Sequence, residues 1–350
     1  MAEGIETIPT ASFWQNNAPY AVIMSLIGEY NCYNATPPTV LSFTSASLSI
    51  FISVVATPGN SLVLLAVLLD PNKNLRSPFN YFVANLAFAD LLVGLGIAPL
   101  SVIYHVSEGL KTALKKEIEV YLDVLYFIFC TASLLSLIIL AVDRYISITY
   151  PLVYMTWLDP IRSFVISAAA WIISVLLSLL YFLFGVNKYR FVFANTAVVL
   201  TFVILFFTHA KLVKSFQAQV RQWDDLNDNC VENEAKKRAL KWQRKMAKTL
   251  LIVVGIFLAC FLPSCVCIYI INLCSTCNCV FINWIRDIEF IFVMANSGMN
   301  PFVYSYRMHN FREAFKTILS SCVCIRRQAG AYSESREPLV GSDFRRSYVE

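Results

Sequence analysis

Leu137–Tyr150 reads LIILAVDRYISITY, an apolar run closed by the triplet Asp143-Arg144-Tyr145. Two charges beside the end of a membrane-crossing segment are costly unless they reach the interface or each other. The triplet therefore marks a boundary, with hydrocarbon on one side and headgroups and water on the other. This run is the third of seven apolar stretches, near residues 44–69, 79–105, 119–146, 162–185, 191–213, 247–272 and 281–306. A helix needs roughly 20 such residues to cross a bilayer. Segments of about ten alternating residues, the mark of a transmembrane β-barrel, are absent.

Composition leads to the same solvent. Of 350 residues 57% are hydrophobic and only 15% charged, with a mean hydropathy of +0.60. A soluble domain carries about 25% charged residues. The net charge of +5 is modest and sits in loops and tail. It sets orientation and gives no reason to expect nucleic-acid binding.

No Lys or Arg precedes Lys73, whereas the segment between the fifth and sixth spans holds Lys214, Arg221, Lys236, Lys237, Arg238, Lys241, Arg244 and Lys245. The tail adds Arg312, Lys316, Arg326 and Arg327. The positive-inside rule places the N-terminus outside and the tail in the cytosol, against a minority of Lys111, Lys115 and Lys116. No charged region precedes the short apolar run Ala18–Ile27, so no cleavable signal peptide is expected. Asn34-Ala35-Thr36 is a candidate glycosylation sequon on the outer side.

Other spans carry polar landmarks. The first has Gly59-Asn60 and the second Asn85-Leu86-Ala87-Phe88-Ala89-Asp90, with a carboxylate in mid-membrane. The fourth has Trp171, the sixth Cys260-Phe261-Leu262-Pro263, and the seventh Asn296-Ser297 followed by Asn300-Pro301-Phe302-Val303-Tyr304. Together with Asp143-Arg144-Tyr145 these resemble the signature set of rhodopsin-like (class A) G-protein-coupled receptors. Within that class the first inner loop, Asn72–Pro78, and Ser136–Tyr145 read most like the melanocortin receptors. The cysteines agree. None lies between Ser101 and Phe129 or in the loop near Gly185–Arg190, while Cys274, Cys277 and Cys279 crowd the third outer loop and Cys32 lies in the outer tail. Melanocortin receptors share both traits, although cannabinoid and lysophospholipid receptors also lack the usual bridge from helix 3.

The resemblance implies an all-α membrane protein, a seven-helix transmembrane bundle with a short interfacial eighth helix. It divides the chain into an outer tail (1–43), the bundle (44–306), an amphipathic helix with candidate palmitoylation sites Cys322 and Cys324 (307–324), and a cytoplasmic tail (325–350). The implied function is that of a plasma-membrane receptor, not an enzyme. It passes a peptide or small-molecule signal to a heterotrimeric G protein, with a rise in cAMP as the melanocortin-like output. The alternative is a lipid or nucleoside ligand (cannabinoid-, lysophospholipid- or adenosine-like). Arrestin, a receptor kinase acting on tail serines such as Ser333, Ser335, Ser342 and Ser347, and membrane lipid are the further implied partners. A light sensor would need a lysine in the seventh span, and none occurs between Lys248 and Lys316. A transporter or intramembrane enzyme would need paired midplane carboxylates or a histidine cluster. Only Asp90 occupies the midplane, and the chain has three histidines.

Residue by residue, the resemblance sets Asp90, Ser133, Asn296, Ser297 and Asn300, with Asn60, around an allosteric sodium ion. The same set also reads as a hydrogen-bonded polar core. Arg144 is the implied switch, held by Asp143 beside Tyr145 in the off state and released toward Tyr304 in the on state. Gln243 stands where many relatives lock this arginine with an acid, and the fifth span has no proline or tyrosine from Arg190 onward. A weakly held off state, with appreciable basal signalling, is the expectation. Glu119 and Asp123, four apart on one helix face, match a melanocortin acidic pair that binds calcium and a cationic peptide. Leu100 stands where its third acid belongs, which puts a calcium ion at the ligand site in question. Asp287 and Glu289 are the candidate substitutes or else loop-edge charges. Tyr126 and Phe261 complete the expected pocket, Tyr126 standing where amine receptors carry an aspartate. The expected disulfides pair Cys274 with Cys277 or Cys279, and Cys32 with the remaining cysteine.

Overall fold

The computed structural model describes Cys32 and residues 36–112, 116–184, 186–224, 230–274 and 276–334, and all regular structure among them is helical. The helices are α1 (Thr39–Leu69), α2 (Pro78–Gly109), α3 (Lys116–Thr149), α4 (Pro151–Trp157) and α5 (Pro160–Phe184). They continue as α6 (186–224), α7 (Cys230–Leu273), α8 (Cys279–Arg307) and α9 (His309–Glu334). Starts follow local chemistry. Ser77 and Asp159 cap α2 and α5, accepting from the N–H of Asn80 and Arg162, with Pro78 and Pro160 at the first helical position. Asn278 caps α8 through Val280 N–H at 2.9 Å. After α1, Asp70 takes a left-handed conformation (φ 41°) and accepts from Asn74 and Leu75 N–H, both at 2.9 Å, which turns the first inner loop.

Among the described residues six helices, α1, α2, α3, α5, α6 and α7, are long and apolar enough to cross a membrane. The seventh expected span, α8, is 29 residues long but less apolar than expected, because it carries Arg286, Asp287, Glu289, Asn296, Ser297 and Asn300. All of these except Arg286 are buried, so α8 turns a polar face inward. In α3, 67% of the apolar window is buried, against 22% in α5. Thus α3 runs through the middle of the bundle while α5 gives most of its surface to lipid.

The α1–α8 contact shows how sequence fixes packing. Pro301 has no N–H, so the carbonyl of Ser297 one turn earlier loses its helical donor. Asn60 Nδ2 on α1 donates to that carbonyl at 2.9 Å and also to Ala56 O at 2.9 Å. Gly59 lets the helices come this close: a Cβ there would stand 2.9 Å from Pro301 Cγ.

The outer disulfides are Cys32–Cys279 and Cys274–Cys277, with Cα separations of 5.3 and 5.6 Å, which selects between the pairings the sequence left open. Several boundaries differ from expectation, among them the inner ends of α6 and α7, which extend to Asp224 and back to Cys230. Helix α1 starts at Thr39, the second inner loop is itself helical (α4), and α9 runs past 324 to Glu334. Asn34, Ser335, Ser342 and Ser347, and the side chains of Gln243, Cys322, Cys324 and Ser333, lie outside the described residues.

Gly59→Val forces a branched side chain onto the rigid Pro301 ring. Overpacking of this kind costs about 1–3 kcal/mol, so the purified protein should melt several degrees lower in detergent. An unchanged melting temperature would contradict the α1–α8 contact.

Candidate functional site

At the inner end of α3, Arg144 is 3% exposed and closely held. Its Nη2 lies 2.6 Å and its Nε 2.8 Å from Asp143 Oδ2. Tyr154 on α4 closes the arrangement, its hydroxyl accepting from Arg144 Nη2 at 3.1 Å and donating to Asp143 Oδ1 at 2.9 Å. The guanidinium also sits 4.2 Å from the centroid of the Phe79 ring on α2. Burial pushes the Tyr154 hydroxyl above the ordinary phenol range, so it stays protonated and able to donate near neutral pH. Tyr145 packs edge-on to Tyr150, and Tyr304 is buried against Phe311 with its hydroxyl unpaired among the described residues. Tyr154, from the second inner loop, thus adds a contact to Arg144 that the sequence reading, with Gln243 on α7 in place of an acid, did not include.

In mid-membrane, Asn300 Nδ2 donates to Asp90 Oδ2 at 2.7 Å, and the Ser297 and Ser133 hydroxyls lie beside the same carboxylate. Asp90 Oδ1, Ser133 Oγ and Asn300 Oδ1 are buried without a hydrogen-bond partner among the described residues. Ser133, Asn296 and Ser297 also border a cavity of about 10 Å³, whose other walls include Tyr126 and Phe261. That is room for roughly one water-sized species. Unpaired oxygens around a single carboxylate fit a hard monovalent cation. Nearby, Trp171 Nε1 donates to Asn85 Oδ1 at 3.0 Å and Asn85 Nδ2 to Ser136 Oγ at 2.8 Å, joining α5, α2 and α3.

Toward the outside, Arg190 on α6 lies between two carboxylates, with one guanidinium nitrogen 3.9 Å from Asp123 and another 3.9 Å from Glu289. Glu289 Oε1 accepts from Tyr126 and Ser264 hydroxyls, each at 3.1 Å. Glu289 Oε2 and Arg190 Nε are buried without hydrogen bonds among the described residues. Aromatic rings surround the group. Phe290 stacks on Tyr126 at 5.3 Å and Tyr189 meets Phe127 edge-on at 4.5 Å, while Phe261 packs on Phe257 at 4.5 Å lower down. The contacts at 3.9 Å exceed hydrogen-bonding distance. A loose ion triad therefore sits in an aromatic cup.

The sequence matches the profile of the 7 transmembrane receptor (rhodopsin family) over residues 59–304. The chain belongs to that family. It is also 29% identical to the dog Adenosine receptor A2a over 341 residues, covering 87% of this chain and 80% of the relative. The human Adenosine receptor A2a is 29% identical over 319 residues (82% and 74% covered). The Octopamine receptor beta-2R of Chilo suppressalis is 28% identical over 347 residues (85% of each).

The receptor brings some expected residues together and separates others. Asp123, Tyr126 and Glu289 share one cluster. Glu119, half-buried one turn above Asp123, is not among its bonded members. Asp287 and Glu289 are not loop-edge charges, being 2% and 1% exposed. They also do not act together: two positions apart on a helix means about 200° of rotation. Asp287 turns to Ser45 on α1 and to His105, while Glu289 turns to α3 and α7. The acids matching a calcium site do not fit one, since Leu100 supplies no oxygen and Asp123 faces a guanidinium. Arg190, His105, Glu108, Arg286 and Tyr154 were missed. Arg190 fell just outside the expected fifth span, where a cation set among Tyr189, Phe191 and Phe193 was the available signal.

Removing one partner of a buried ion pair costs about 3–5 kcal/mol. Arg190→Met should therefore lower the melting temperature of the purified receptor. Adding Glu289→Gln should recover part of that loss. Strictly additive losses would contradict the triad.

Proposed function

We propose that this class A receptor is activated by a cationic extracellular ligand, peptide or small molecule, that inserts at Asp123 and Glu289. The observation that carries this reading is the loose Arg190 triad. Glu289 is held through one oxygen and offers the other, and Arg190 occupies the place of a cation without making a close bond. A ligand ammonium or guanidinium would take over those carboxylates and displace Arg190, with Tyr126 and Phe290 packing its apolar part. Phe261 forms the floor and Glu119 the rim. Asp287, turned away from this cup, is not assigned to it. The reading accords with the melanocortin-like sequence features, and a rise in cAMP is its expected output. A nucleoside ligand is the second reading, favoured by the identity to proteins named adenosine receptors.

Signalling to a heterotrimeric G protein then turns on Arg144. In the arrangement observed, Asp143 and Tyr154 hold it, and Tyr304 stands by as its partner after release. Asp90, Ser133, Asn296, Ser297 and Asn300 would hold a sodium ion, whose charge offsets the carboxylate and favours the closed bundle. An outward N-terminus is supported by the disulfides at Cys32 and Cys274–Cys279, which suit an oxidising exterior. Glycosylation at Asn34, palmitoylation at Cys322 and Cys324, and arrestin and kinase recognition of the tail complete the proposal.

One assay tests both parts. Cells expressing the receptor or Tyr154→Phe are monitored for second messengers without ligand, then with melanocortin peptides and with adenosine. Hydrogen bonds to charged groups contribute about 1.5–3 kcal/mol, and about 1.4 kcal/mol is a tenfold shift. Tyr154→Phe should raise the ligand-free signal several-fold. A response to the peptides that Glu289→Gln abolishes supports the cationic-ligand reading. A response to adenosine alone overturns it, and an unchanged basal signal in Tyr154→Phe overturns the latch.

A further inference from the structure

We propose that the outer ends of α1, α2 and α8 form a divalent-cation site of the zinc class, with His105 Nδ1, Glu108 Oε2 and Asp287 Oδ2 as its ligands. The three atoms lie within 4.8 Å of one another. Nδ1 stands 3.3 Å from Glu108 Oε2 and 3.7 Å from Asp287 Oδ2. Tetrahedral ligands bonded at about 2.0–2.1 Å are separated from each other by about 3.3–3.4 Å. The edge from the imidazole to Glu108, here spanned by a hydrogen bond, has that length, and the edge to Asp287 is somewhat longer.

The surroundings sort the oxygens. Arg286 takes the other oxygen of each carboxylate, Glu108 Oε1 at 3.0 Å and Asp287 Oδ1 at 2.8 Å. Glu108 Oε2 and Asp287 Oδ2 are left facing the imidazole. Each is steered by a serine of α1, Ser42 donating to Glu108 Oε2 at 2.9 Å and Ser45 to Asp287 Oδ2 at 2.7 Å. Such outer partners are what fix carboxylate ligands in metal sites.

Two carboxylates share the single guanidinium of Arg286, and His105 and Asp287 are 3% and 2% exposed, so the ligand atoms are screened from water. A nitrogen with two oxygens suits zinc better than calcium or magnesium, which gather six or more oxygens. A bound ion would tie α2 to α8 two residues before Glu289. The site stands apart from the Arg190 cup and does not depend on the ligand proposed there.

The test is titration of chelator-free, full-length receptor in nanodiscs with zinc chloride at neutral pH, read by competition with a chromophoric chelator. X-ray absorption of the zinc-loaded protein is the second readout. One equivalent should bind, and His105→Gln and Asp287→Asn should each weaken it tenfold or more, in line with the roughly 10–100-fold effect of disturbing metal-site residues. The absorption spectrum should show nitrogen and oxygen at about 2.0–2.1 Å. Absence of saturable binding, undiminished binding in both variants, or sulfur neighbours at about 2.3 Å would overturn the site. The spectrum requires only the unaltered protein, so a variant that fails to fold leaves the test intact.

Discussion

A charge taken into a membrane bundle must find a counter-charge or a full set of hydrogen bonds, and this single constraint organises the receptor. Each deeply placed ion has a named answer. Arg144 is answered by Asp143 and Tyr154, Arg190 by Asp123 and Glu289, Arg286 by Glu108 and Asp287, and Asp90 by Asn300 with serine hydroxyls beside it. Because the partners of most of these groups sit on different helices, meeting the electrostatic requirement also fixes which helices are neighbours. The same logic operates without charge where Asn60 takes over the carbonyl that Pro301 leaves open.

The answers differ in tightness, and the proposed function rests on that difference. The inner cluster has short, mutually reinforcing hydrogen bonds and an aromatic face against the guanidinium. The Arg190 triad has 3.9 Å gaps and unpaired atoms. A bundle loose at the proposed ligand site and tight at the proposed transducer end has something to gain from binding at one end. Its cost is paid by breaking contacts at the other, and such coupling is typically about 1–3 kcal/mol between sites.

Much of this was legible in the sequence. Seven hydrophobic stretches gave the helices, and the polar residues inside them named the Asp90 pocket and the Asp143–Arg144 pair, because a polar group in hydrocarbon signals a role by its mere presence. Even so, α8 proved less apolar than its neighbours, since its polar side faces the bundle. Pairing was much less legible. Asp287 and Glu289 look like a pair on paper but diverge around the helix, and His105 and Glu108 look like loop-proximal polar residues until α1 and α8 close over them. Tyr154 was invisible because α4 had no span-like signature. Its role depends on a short helix folding back beneath α3, a tertiary event that local patterning does not encode.

The central claim is that the Asp143–Arg144–Tyr154 cluster holds the receptor off and opens when a G protein engages. The most direct measurement is the cryo-electron-microscopy structure of the receptor bound to nucleotide-free heterotrimeric G protein. The account predicts Arg144 withdrawn from Asp143 and Tyr154 and turned toward Tyr304. An Arg144 that keeps both contacts in that complex would contradict it.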